Sequence, residues 1–143
     1  MKTTTEMQLV AIQKLVPYIN NARTHSPEQI KKLRSSLREF GFINPVIIDR
    51  DYGVIAGHGR ILAAKEEGIK EVPCVFADHL TEAQKKAYII ADNRMAMDAG
   101  WDEELLRVEI EALQGMEDVY KRQPFLCEAK DRREPFRRRL YHL

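Results

Sequence analysis

The stretch GVIAGHGRILAAKEEG, residues 53–68, governs the reading of the whole chain. A short β-branched run, Val54 and Ile55, ends at Gly57-His58-Gly59-Arg60, and residues of good helix propensity come at once. Strand, glycine-rich turn and helix start are the physical recipe for an anion site. The first helical turn leaves backbone N–H groups without intrahelical acceptors, and the macrodipole places partial positive charge there. Glycines at 57 and 59 let an oxygen approach the backbone without meeting a Cβ, and Arg60 adds a fork of donors suited to phosphate. Taken alone, such a turn is more often a tight connection carrying an exposed arginine, so the neighbouring segments have to decide.

Just upstream, PVIIDRDYGVIAG carries β-branched runs at 46–48 and 54–56 separated by Asp, Arg and Gly, which is a hairpin signature. Before it, SPEQIKKLRSSLREFG predicts a helix. Ser26 is its N-cap, Pro27 takes the first helical position and Gln29 completes a capping box. Ile30, Leu33, Leu37 and Phe40 share one face, and Gly41 supplies the stop. A short strand is expected at 8–11, then an irregular link ending at Pro17 and the polar loop NNARTH. Downstream, a helix is expected from about Arg60 to Glu67, closed by Gly68. EVPCVF reads as a strand near a sheet edge, because Pro73 cannot donate a ladder hydrogen bond. A second capping box, Thr81 to Gln84, opens EAQKKAYIIADNR, and a further helix at about 103–113 begins after Asp102, with Trp101 able to staple onto Leu106. Together these elements make an α+β domain with a small mixed sheet and packed helices.

A chain of 143 residues with 44% apolar content can bury one modest core. The formal charge of +1 conceals a split: residues 1–114 carry 15 Lys and Arg against 17 Asp and Glu, while 115–143 carry 8 against 5. The basic character therefore lies in the tail. Cys74 and Cys127 form neither a metal-spaced pair nor a disulfide framework, which fits a reducing cytoplasm. No apolar run is long enough for a signal core or a membrane span, so a cytoplasmic protein is expected. Beyond Gln114 the periodicity fails. Residues 115–143 are read as an irregular basic tail, dispensable for stability, and DVYKRQ resembles translated adapter read-through; on that resemblance the tail is expected to be foreign and the natural protein to continue past about residue 117.

The order and spacing of several segments resemble the ParB N-terminal domain of the ParB/sulfiredoxin superfamily over about residues 7–95, with 96–114 as a helical extension. The resemblance rests on the loop with Asn20, Asn21 and Arg23, the helix closing in Phe-Gly, and Asn44-Pro45-Val46 before a strand. It continues through Gly57, Arg60, Ala63 and Ala64 of a Gly-x-x-Arg-x-x-Ala-Ala turn and helix, a Val-Pro strand, and Asn93-Arg94. It implies a site for CTP or another nucleoside triphosphate with Mg2+. Gly57, His58, Gly59 and Arg60 would lie on the phosphates, Arg23 would reach in from the first loop, and Asn93 with Arg94 would close the site, Asn93 being the candidate nearest the metal. The segment LTEAQKKAYIIADNRMAMDAGWDEELLRVEIEAL resembles the stretch C-terminal to the ParB-like domain in phage and prophage DNA-modification methyltransferases. Neither the methyltransferase catalytic motif nor its glycine-rich loop occurs here. The implied function is a nucleotide-binding, DNA-associated accessory domain, the N-terminal part of such a methyltransferase or of a partition-type protein. DNA would be met through a partner or a C-terminal region, and the domain could pair as a homodimer.

The departures from the family bear on chemistry. Its usual turn reads Gly-Glu-Arg-Arg, and here the middle pair is His58-Gly59. The acidic residue linked to hydrolysis and one phosphate arginine are both missing. The alternative, a stand-alone weak nuclease or nucleotide hydrolase, is weakened accordingly. Sulfiredoxin chemistry is excluded because His58 stands where that enzyme's cysteine would be, and Cys74 lies in an apolar strand where a thiol is inert packing. His58 titrates near neutrality and is the catalytic candidate, although a neutral donor beside phosphate or exposed filler is the commoner role. His25 is expected at the surface, Asp49 and Asp51 as conformational residues of a hairpin turn, and Trp101, Leu105, Leu106 and Ile110 as core or a partner-binding face, with core the commoner case.

Overall fold

A computed structural model describes residue 1 and residues 6–19, 24–116, 122 and 123. The elements run β1 (Met7–Ala11), a single 3-10 turn (Ile12–Lys14), α1 (Pro27–Phe40), β2 (Val46–Ile48), β3 (Val54–Ala56), α2 (His58–Glu66), β4 (Glu71–Phe76), α3 (Glu82–Asp98) and α4 (Glu103–Gln114). The fold is α+β. Contacts divide the chain into two units, Met1–Arg94 and Met95–Leu143, the division falling within α3.

In the first unit the sheet order is β1-β4-β2-β3, with β1 antiparallel to β4, β2 parallel to β4 and β3 antiparallel to β2. The strand carrying Pro73 is therefore central, not at an edge. The ladder explains why this is tolerated. Ile12 N–H donates to Lys70 O on the β1 side, so even-numbered residues of β4 face β1 and odd-numbered ones face β2. Ala77 N–H donates to Ile48 O, and pairing with β2 begins at Val46 opposite Cys74. The donor that Pro73 lacks would point past the start of β2, where no ladder bond is lost.

The sheet is covered on both faces. Val46, Ile48, Val72 and Cys74, all 0% exposed, form the first face with Val10 and Val54, and against it pack Ile61 and Ala64 of α2 and Leu37 of α1. Ile55 and Ile47 point the other way, into a smaller cluster with Ala77, Ile89 and Tyr88 of α3. Burial raises the pKa of Cys74 above the thiol's usual value, so it is an inert packing group.

Caps set the helix ends. Ser26 Oγ accepts from Gln29 N–H at 3.1 Å with Pro27 at the first position, but Gln29 does not close the expected reciprocal box; its Oε1 lies 3.1 Å from His25 Nδ1. Thr81 and Gln84 do close theirs, at 2.9 and 3.2 Å. Glu66 and Glu67 end α2, where the macrodipole disfavours anions. Arg34 and Arg38 of α1 offset this: Arg34 reaches Glu67 at 2.6 Å and Glu66 at 2.9 Å, and Arg38 reaches Glu67 at 2.7 Å. These pairs clasp α1 to α2.

In the second unit Asp102 caps α4, accepting from Leu105 N–H at 3.1 Å. Ile110 is buried, but Trp101 and Leu105 are 53% and 64% exposed, so those two are not core residues. Of the stretch read as a tail, only Gly115, Met116, Arg122 and Gln123 are described, and Gln123 is buried; the adapter-like and arginine-rich segments lie outside the described residues. Among the described residues no helix is long and apolar enough to cross a membrane.

Candidate functional site

Strand β3 delivers the chain into Gly57, which caps α2 in the left-handed region at φ 108°. No side chain caps this end, and the first intrahelical bond is Ile61 N–H to Gly57 O at 3.0 Å. The N–H groups of His58, Gly59 and Arg60 therefore belong to the turn that has no helical acceptors. Helix α2 begins two residues earlier than expected from sequence, which puts His58 and Gly59 inside its first turn.

The two glycines serve different ends. A Cβ on Gly57 would lie 3.0 Å from the Arg60 guanidinium and 3.2 Å from Val46 Cγ2. Its space is thus the seat of Arg60, whose terminal nitrogen donates to Pro45 O at 3.0 Å, folding the guanidinium back under the turn. A Cβ on Gly59 would lie 2.9 Å from His25 Cε1 and 3.1 Å from Leu33 Cδ1. Gly59 is buried, and its missing side chain admits Leu33 of α1 and His25 from the segment leading into that helix. His25 is therefore half-buried against α2 and not a surface residue.

His58 is half-buried and accepts a hydrogen bond from Tyr18 N–H at its Nε2, 3.2 Å away. Burial, and then the neighbouring His25, lower its pKa below the ordinary 6.5. The folded chain thus disfavours the proton that the unfolded chain accepts. The resulting stability is fully present above about pH 6.5 and is lost as pH falls through the folded pKa. Urea unfolding across this range should show that step in the wild type and not in His58→Gln.

The Asp49 carboxylate organises the hairpin beside this turn. Its Oδ1 accepts from Asp51 N–H at 2.9 Å and Gly53 N–H at 2.8 Å, and its Oδ2 receives Lys85 Nζ at 3.0 Å. This carboxylate is a conformational residue, as its place in a hairpin implies, and it also ties α3 to the sheet. Burial works to raise its pKa, but the Gly53 N–H, Lys85 and the Asp51 N–H together hold it below the ordinary 3.8. Stability from this carboxylate is present above that value and disappears as pH falls through the folded pKa. Asp49→Ala should cost about 1–3 kcal/mol by leaving its donors without their acceptor, and the acid limb of the unfolding curve should flatten.

Between the β3 edge and α3 lies a groove of about 300 Å³, lined among others by Val16, Tyr18, Ile55, Lys85 and Ile89. It adjoins the turn through Tyr18, and no pattern of residue types in the sequence signalled it. Asn93 is half-buried and Arg94 exposed, both on α3, while Arg23 lies outside the described residues. Among the described residues no three of His, Cys, Asp and Glu come together to hold a metal ion.

A four-stranded mixed sheet, helices on both faces, and a glycine-capped helix start that seats an arginine define a class of small α+β domain. The sequence matches the ParB N-terminal domain family over residues 1–93, and the chain belongs to that family. It is 47% identical over 75 residues to the ParB-like nuclease domain-containing protein YnaK of Escherichia coli K12, covering 52% of this chain and 86% of that one. It is 36% identical over 76 residues to the probable chromosome-partitioning protein ParB of Vibrio cholerae, covering 50% of this chain and 26% of that one. In fold it is similar to the C-terminally truncated chromosome-partitioning protein ParB from Caulobacter crescentus complexed with CTP-γ-S, with a TM-score of 0.63 and 24% identity over 74% of this chain and 62% of that one. It is also similar to a Pnob8-like ParB-N domain, with a TM-score of 0.55 and 24% identity over 87% of this chain and 52% of that one.

Proposed function

We propose that the turn at Gly57 to Arg60 binds the phosphates of a nucleoside triphosphate, CTP in the first place, with Mg2+, and that the domain is a nucleotide-responsive accessory module of a DNA-associated protein. The observation that carries the reading is the start of α2: N–H groups without helical acceptors, a left-handed glycine, and the Arg60 guanidinium seated against it. Membership of the ParB N-terminal domain family, and a fold neighbour described with CTP-γ-S, support it. The N–H groups of 58–60 would receive phosphate oxygens. Arg60 would add charge, and Arg23 and Arg94 would approach from the first loop and from α3. Asn93 would supply one oxygen ligand to the metal, and the triphosphate would supply others. When bound, the nucleotide would bring negative charge to a helix end that otherwise lacks it.

A nuclease or hydrolase reading has the name of the Escherichia coli relative behind it. Against it, the turn lacks the family's glutamate, and the Nε2 that a general base would use already accepts Tyr18 N–H. We therefore read the domain as a binding module, the N-terminal part of a phage or prophage DNA methyltransferase or of a partition-type protein, able to pair with a second copy.

Calorimetric titration with CTP, ATP, GTP and UTP, with and without Mg2+, tests the site. One charge-assisted hydrogen bond contributes about 1.5–3 kcal/mol, so Arg60→Ala should weaken CTP binding roughly ten- to a hundredfold. Equal affinity in that variant, or no heat with any nucleotide at millimolar concentration, would overturn the reading.

A further inference from the structure

The chain leaves β1 and crosses to the opposite edge of the sheet, beside β3. Val16 is tied there, with its N–H on Tyr52 O at 2.9 Å and its carbonyl accepting from Val54 N–H at 2.8 Å. Pro17 has no N–H to give. The next donor along is Tyr18 N–H, and its acceptor is a side chain forty residues away, His58 Nε2 at 3.2 Å. A backbone N–H always donates, so the bond exists only while Nε2 keeps its lone pair. The imidazole is therefore neutral, with its proton on Nδ1.

The surroundings oppose a second proton. His58 is the first residue of α2, where the macrodipole disfavours a cation. The ring is half-buried, His25 approaches from the segment leading into α1, and Arg60 sits two residues along the same helix. Protonation would turn the acceptor into a donor facing another donor. The bond to Tyr18 would be lost, and a positive ring would stand at the start of α2.

We propose that His58 is a proton-operated clasp: neutral, it holds residues 17–19 against the start of α2, and on protonation it releases them and places a cation at the mouth of the turn. The segment it holds also forms one wall of the groove between the β3 edge and α3 and leads in sequence to Arg23. The clasp thus governs one wall of that groove. It requires no nucleotide, so it can fail while the nucleotide reading stands, and the converse also holds.

The test uses the full chain without ligand. Ring 15N shifts track the protonation of His58, while amide hydrogen exchange reports on Tyr18 and, as a reference on the same sheet edge, Val54. As the ring titrates, protection at Tyr18 should fall about two- to tenfold, the exchange equivalent of one hydrogen bond, with the same midpoint and with Val54 unchanged. In His58→Gln, whose side-chain oxygen can accept but does not titrate, Tyr18 protection should show no step. Protection that stays constant while the ring titrates, a step that persists in His58→Gln, or a loss shared equally by Val54 would each overturn the proposal.

Discussion

Gly57→Val should lower stability by about 2–6 kcal/mol, a large share of the roughly 5–15 kcal/mol that keeps a domain folded. Two independent costs add. A β-branched residue at φ 108° is held outside its allowed backbone regions, which costs on the order of 1–3 kcal/mol. Its side chain must also displace Val46, which is 0% exposed, and the Arg60 guanidinium, with an overpacking cost of about 1–3 kcal/mol. Gly41→Ala is the control. That glycine also has positive φ, at 78°, but a Cβ there meets nothing within 4 Å. Only the backbone cost of a Cβ in a region that glycine alone adopts (φ 78°, ψ 179°), about 1–3 kcal/mol, should remain. Chemical denaturation of both variants separates strain from collision, and equal losses would mean that the seat of Arg60 is not packed as described.

Ile48→Ala should be as damaging, at about 2–5 kcal/mol, because the side chain is 0% exposed in the main cluster and its removal leaves a cavity between the sheet and the helices. Its neighbour supplies the comparison. Ile47 points to the opposite face, where it is only partly buried beside Ile55 and Ile89. Ile47→Ala should cost about half as much. Thermal melts of the pair test whether the sheet has one dominant face, and a reversed order would contradict the packing.

Local signals were read well from sequence because local chemistry decides them. Ser26 and Pro27 start α1, Thr81 and Gln84 start α3, Asp102 starts α4, and the runs at 46–48 and 54–56 are strands. The central position of β4 was missed, since what matters about Pro73 is the side to which its absent donor points, and that depends on register with β2. The turn was legible as a helix start, but the division of labour between its glycines was not. Gly59 answers to His25 and Leu33 on another element, and Gly57 to Val46 and Arg60. His58 drew attention as a titratable group. Its acceptor role depends on a backbone N–H forty residues away, which no local pattern encodes.

The most direct measurement of the nucleotide site is an amide-resolved NMR titration of the full chain with CTP and Mg2+. Phosphate at the start of α2 predicts that the amides of His58, Gly59 and Arg60 shift most, saturate together, and do so more weakly in Arg60→Ala. Saturation that moves the groove residues Val16, Lys85 and Ile89 while leaving amides 58–60 in place would contradict the account.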